Sequence, residues 1–267
     1  MNWWQAVVLG IVQGLTEFLP VSSSGHLAIG REILGVGVAQ DLSFEVAVHA
    51  ATVLSTIVVF RKQIAELLRG LLKFEMNDQT DYVLKICVSM IPVFVVGVFF
   101  KDRVESLFSS IVVVGVALIV TALLLAFSDR ASCREPASPQ GRGGISWSQA
   151  FLVGLGQAFA VIPGLSRSGT TISTGLLCGV KREEIAQFSF LMVLVPILGE
   201  AFLDVVSGDM ASSSVGVVPL AAGFVAAFVS GLFACKAMIG LVKKARLKWF
   251  ALYCALAGLA VILTQIF

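Results

Sequence analysis

Apolar residues in this chain do not alternate with polar ones; they run in long blocks. Six blocks, roughly 42–60, 82–100, 111–128, 184–206, 217–237 and 247–267, approach the about 20 residues a helix needs to cross a bilayer. Two further blocks, 3–35 and 146–180, are interrupted. The first is broken by Glu17, Pro20 and the run Ser22-Ser23-Ser24-Gly25-His26. The second is broken by Pro163-Gly164 and Ser166-Arg167-Ser168-Gly169. Each reads as two short helices joined by a polar, glycine-rich turn. Irregular backbone at membrane depth is tolerated only where protein or a wet cavity covers it, so each predicts a re-entrant hairpin. The pattern therefore predicts an all-α polytopic membrane protein of six transmembrane helices and two re-entrant helical hairpins.

The two interruptions are related. Ser22-x-Ser24-Gly25 matches Ser166-x-Ser168-Gly169, and each follows a proline. Gly25 lies 19 residues before Phe44, and Gly169 lies 19 residues before Phe188. Each half holds one hairpin and three spans, and an odd number of spans turns the second half upside down. The expectation is a single membrane domain built as an inverted repeat (1–128 and 146–267, with 129–145 as linker). Such repeats place a site at mid-membrane between broken helices.

Composition agrees with the pattern. The chain is 57% hydrophobic and 13% charged, with mean hydropathy +0.94, whereas soluble domains are about half apolar and a quarter charged. A net charge of +2 argues against a nucleic-acid partner. The five cysteines form no CxxC pair, which excludes a disulfide framework or zinc site by spacing. The N-terminus lacks the basic region of a removable signal peptide. The loops 61–81, 129–147, 179–183 and 236–248 together carry 14 basic residues, against Arg31, Lys101 and Arg103 on the other side. The positive-inside rule puts the richer side in the cytoplasm and both termini outside, in a bacterial inner membrane on the periplasmic face. The hairpins then enter from opposite sides.

Three groups of residues carry chemistry. Gln13 and Glu17 are four apart and share a helix face. An acid within an apolar helix is functional by default, and a carboxylate with an amide oxygen suits a hard cation, Mg²⁺ or Ca²⁺. The alternative is a carboxylate that braces the next turn. Ser22, Ser23, Ser24 and Gly25 offer hydroxyls and successive N–H groups to an anion, and His26 is able to move a proton or attack phosphorus. Their plainer reading is an N-cap run beside an interfacial histidine. His49, among Ala and Val, reads as packed and hydrogen-bonded. Arg167 is the only basic residue between Ile145 and Val180. Its planar fork fits phosphate oxygens, the alternative being a salt bridge to Glu17. Glu45, Glu200 and Asp204 read as interfacial.

The stretch from Gln13 to Leu27, with Gln13-x-x-x-Glu17 and Ser22-Ser23-x-Gly25-His26, resembles the (E/Q)xxxE and SSxGH signatures of bacterial undecaprenyl-pyrophosphate phosphatases. Pro163 to Thr171 resembles that family's PGxSRSGxT signature, and Phe188-Ser189-Phe190-Leu191 continues the likeness, which covers nearly the whole chain. The resemblance implies the inverted-repeat fold, often dimeric. It also implies hydrolysis of undecaprenyl pyrophosphate to the monophosphate, which recycles the lipid carrier of cell-wall synthesis and confers bacitracin resistance when overproduced. It assigns function to Gln13, Glu17, Ser22, Ser23, His26, Ser166, Arg167, Ser168 and Thr171. Gln13 stands where many members carry Glu, which leaves a bound metal one negative charge fewer.

In this reading Glu17, Ser23, His26 and Arg167 are catalytic. Ser22, Ser166, Arg167, Ser168 and Thr171 hold phosphate, and Gln13 and Glu17 hold the cation. Ser23, His26 and water all remain candidate attackers. A lipid-phosphate phosphatase of the other type needs a second histidine after its arginine, and this chain has none after His49. A polyprenyl-phosphate transporter or flippase is the rival that an inverted repeat equally allows.

Overall fold

The computed structural model describes residues 1–36, 42–107, 110–131, 144–199, 215–244 and 246–266. They are helical throughout apart from short turns: α1 (Trp3–Phe18), α2 (Ser23–Leu34), α3 (Leu42–Val59), α4 (Arg61–Leu71), α5 (Asp78–Phe99), α6 (Lys101–Leu107), α7 (Ile111–Ala131), α8 (Trp147–Phe159), α9 (Arg167–Leu177), α10 (Arg182–Met192), α11 (Val217–Lys244) and α12 (Lys248–Ile266). Of these, α5, α7, α11 and α12 are long and apolar enough to cross a membrane. The pair α3 and α4, bent by 78°, makes a fifth if counted as one span. The chain is thus a multi-pass membrane protein. The expected span 184–206 is interrupted where it is described: α10 stops at Met192, Val193 forms a turn, and helix resumes over 194–199. Glu200, Asp204, Cys133 and most of the expected linker lie outside the described residues.

The outer surface is what a lipid solvent dictates. Phe94 on α5 is 70% exposed and Phe233 on α11 71% exposed, an orientation that water would penalise and hydrocarbon does not. Lys85, fully buried in α5, sits 2.5 Å from Asp81 one turn away. Arg31 pairs with Glu45, so Glu45 is an ion-pair partner rather than a lone interfacial acid.

Both broken regions form two short helices about a turn, as their sequences predict. Pro20 disfavours helix at Leu19, and Leu19 is extended. The second break runs from Ala160 to Ser166. There Gly164 has φ 86°, and a Cβ on it would lie 2.7 Å from the Val114 carbonyl oxygen, so only glycine fits.

Matching roles recur at positions 144 apart. The side chain of Gln5 donates to the Leu34 carbonyl at 3.0 Å, and that of Gln149 to the Cys178 carbonyl at 2.9 Å. Gly35 and Gly179 both close their helices with positive φ. Ser22 caps Gly25 N–H, and Ser166 caps Gly169 N–H. Packing also exchanges between the halves: α1 lies on α11, α8 lies on α5, and α7 pairs with α12. Small residues allow this closeness. A Cβ on Gly10 would fall 2.3 Å from the Gly223 carbonyl oxygen, and one on Gly154 would fall 2.3 Å from that of Ser89.

Candidate active site

The two breaks touch each other. A Cβ on Gly25 would sit 3.2 Å from Gly164 Cα, and Ser168 Oγ donates to the Leu19 carbonyl at 3.1 Å. This contact brings the end of α1, the start of α2 and the start of α9 to one point beside α3. The polar residues that sequence reasoning placed in separate hairpins converge there.

Glu17 is the hub. Its Oε2 accepts from Ser23 Oγ at 2.6 Å and from Gln13 Nε2 at 2.9 Å. A carboxylate only accepts, so the second contact fixes which end of the Gln13 amide faces it. Gln13 Oε1 is left buried with no hydrogen-bond partner among the described residues. Arg167 Nη1 is likewise buried and unpartnered among them. Glu17, Arg167 and Ser168 line one narrow cavity with Thr52, Thr56, Ser189 and a wall of Phe18, Val53, Phe190, Val193 and Ile197. One acceptor and one donor are thus buried without a partner among the described residues; each such group left unmet costs about 1–3 kcal/mol.

The other predicted residues lie as follows. Ser22 holds the strained φ of 71°, a conformation that costs of order 1–3 kcal/mol for a non-glycine residue and clusters at functional sites. Its Oγ is engaged by Gly25 N–H, and Ser166 Oγ by Gly169 N–H, so both serve as helix caps. Thr171 Oγ1 reaches the Arg167 carbonyl at 2.9 Å and Ser189 Oγ at 2.6 Å. His26 points away from the carboxylate. Its Nδ1 lies 2.7 Å from the Ser22 carbonyl and its Nε2 2.6 Å from Tyr253 Oη, with the rings stacked. Both ring nitrogens are therefore occupied.

Among the described residues, no three His, Cys, Asp or Glu side chains converge to hold a metal. Gln13 Oε1 and the Glu17 carboxylate are a hard-oxygen pair. That suits an ion which keeps waters and takes its remaining ligands from substrate phosphate, as Mg²⁺ does. The donor set fits such a cation, though it makes no closed cage.

A family model for the bacitracin resistance protein BacA matches residues 6–260. The chain belongs to the BacA family. A relative from Parabacteroides distasonis, an undecaprenyl-diphosphatase by name, is 56% identical over 98% of each chain. One of the same name from Bacteroides thetaiotaomicron is 54% identical over the full length of both. A third, from Methanococcus vannielii, is 39% identical over 96% of this chain and 98% of its own.

Within this BacA-family site His49 also stands beside Glu17, a proximity that the sequence pattern does not supply. On sequence His49 reads as packed and hydrogen-bonded, and its Nδ1 does lie 2.9 Å from the Glu45 carbonyl. Its Nε2, however, stands 3.8 Å from Glu17 Oε2. His49, Thr52 and Thr56 follow a three-then-four spacing that puts them on one helix face. That stripe was the available signal.

Proposed function

We propose that this protein hydrolyses undecaprenyl pyrophosphate to undecaprenyl phosphate and inorganic phosphate, recycling the lipid carrier for peptidoglycan synthesis and conferring bacitracin resistance. The observation that carries the reading is the buried, unpartnered Arg167 Nη1 in the cavity that Glu17 also lines, with the Glu17 carboxylate accepting from Ser23 Oγ. Full-length relatives named undecaprenyl-diphosphatase support the same reading.

In this mechanism Arg167 and Ser168 hold the terminal phosphoryl group at the start of α9, where the helix N-terminus also favours an anion. Ser23 Oγ attacks the terminal phosphorus while Glu17 accepts its proton. The bridging P–O bond breaks and undecaprenyl phosphate leaves. Glu17 gives that proton to the departing undecaprenyl phosphate; it then takes a proton from the water that attacks the phosphoserine and returns it to Ser23 Oγ, which leaves as the hydroxyl while inorganic phosphate is released. Gln13 and Glu17 would hold a divalent cation, Mg²⁺ or Ca²⁺, which when bound would supply positive charge beside the transferring group. His26, anchored to Ser22 and Tyr253, holds the strained turn that presents Ser23. Ser22, Ser166 and Thr171 shape the phosphate cradle through the backbone they cap.

The 144-residue register and the exchanged packing of α1 on α11 and α8 on α5 support an inverted repeat, with halves 1–128 and 146–267 joined by 129–145. We read α1–α2 and α8–α9 as its re-entrant hairpins and the remaining long helices as six spans in the inner membrane, both termini periplasmic. The protein works as a homodimer in this reading. Cys133, in the linker, then faces the cytoplasm. In sealed cells it should resist an impermeant thiol reagent and react only after permeabilisation; ready labelling of intact cells would reverse the orientation.

Phosphate release by the purified protein from the pyrophosphate lipid tests the activity and separates an enzyme from a flippase. Chelation should abolish release, and Mg²⁺ or Ca²⁺ should restore it. Gln13→Glu should lower the cation concentration needed for half-maximal rate. Full turnover in excess chelator removes the cation from the mechanism.

A further inference from the structure

We propose that His49 Nε2 is a third donor in the Gln13–Glu17 cation site, and that this nitrogen makes the site favour a first-row transition ion such as Mn²⁺ over Ca²⁺. The inference rests on the cation reading above and adds the identity of the ion.

The geometry carries it. His49 Nδ1 lies 2.9 Å from the Glu45 carbonyl, which can only accept, so Nδ1 donates there and Nε2 is the nitrogen turned toward Glu17. Metal-binding histidines are held in this way, with the second nitrogen donating to a backbone carbonyl or carboxylate. Glu45 is itself tied down by Arg31, so the ring has a braced support. The 3.8 Å between Nε2 and Glu17 Oε2 is too long for a hydrogen bond. It falls within the about 4.2 Å that separates, at most, two donors each about 2.1 Å from one ion. Gln13 reaches the same carboxylate through Nε2 at 2.9 Å, which leaves its unpartnered Oε1 one amide width away. The three side chains come from two helices, α1 and α3. Ca²⁺ takes oxygen ligands, whereas an imidazole shifts preference toward first-row transition ions.

The test uses detergent-purified full-length protein and Mn²⁺ alone. Electron spin echo modulation of bound Mn²⁺ should show a directly coordinated ¹⁴N in the wild type. His49→Gln should lose that coupling and bind Mn²⁺ at least tenfold more weakly, a typical loss at a perturbed metal site, with Ca²⁺ affinity changed less than twofold. Glu17→Gln should lose both ions. Mn²⁺ bound without nitrogen coupling, or with unchanged affinity in His49→Gln, overturns the role of His49 and leaves the Gln13–Glu17 site standing provided Glu17→Gln still abolishes binding. Undiminished Mn²⁺ binding by Glu17→Gln overturns both.

Discussion

Purified Arg167→Ala should fold, insert and lose nearly all phosphatase activity, and Arg167→Lys should do almost the same. Arg167 opens α9 with Nη1 buried and unpartnered among the described residues. A guanidinium at membrane depth costs roughly 2.5–3.5 kcal/mol on insertion scales. Removing it should therefore harm the phosphate-bound state more than the empty fold. Lysine restores charge without the bidentate fork, which is why it fails to rescue. Charge-assisted contacts to a transferring phosphoryl group are worth about 10³-fold or more in rate, and a loss of that order is expected in kcat. If Arg167 were a structural strut, the order of effects would reverse: poor yield and aggregation, with near-normal turnover in the molecules that survive. Specific activity per folded, detergent-purified molecule separates the two. Wild-type turnover by folded Arg167→Ala would place the phosphate clamp elsewhere.

Arg167 was legible because a lone cation in 36 apolar or small residues has no bland environment to sit in. The two helix breaks are legible for a related reason: proline, glycine and serine interrupt runs that are otherwise mostly apolar, and backbone polar groups freed there need cover. What sequence could not supply was facing. The helix α3 is apolar around most of its circumference, so periodicity does not say which side meets α1, and His49 was taken for packing. The same blindness hid Tyr253, 227 residues from the His26 it touches. Ser22 and Ser166 illustrate the opposite case. Their spacing to Gly25 and Gly169 was visible, yet an N-cap and a phosphate ligand demand the same residue at the same place. Only the hydrogen bonds to Gly25 and Gly169 N–H reveal that the hydroxyls are engaged by the backbone. The bend between α3 and α4 escaped notice because the charged stretch from Arg61 reads equally as loop or as amphipathic surface helix.

The choice among Ser23, His26 and water was open on sequence and is narrowed by two distances. Ser23 Oγ donates to Glu17 Oε2 at 2.6 Å, whereas His26 has both nitrogens engaged, at 2.7 and 2.6 Å, by Ser22 and Tyr253. A nucleophile needs an adjacent base within such reach. Ser23→Ala should accordingly fold, because among the described residues its hydroxyl bonds to Glu17 alone, and should lose at least the about 10²–10⁴-fold that general-base assistance alone contributes. Glu17→Gln removes the base and should fall by a similar factor. The two changes together should cost little more than either alone, since residues acting as a unit are far from additive. Substrate labelled in its terminal phosphate distinguishes the attackers directly. Rapid acid quench should trap label on wild-type protein as acid-stable phosphoserine, and Ser23→Ala should trap none. Phosphohistidine, stable to base and labile to acid, would transfer the role to His26. Water attack leaves no labelled protein at all, and it leaves Ser23→Ala within about tenfold of wild type while Glu17→Gln still collapses, because a positioned carboxylate activates water as it activates a hydroxyl.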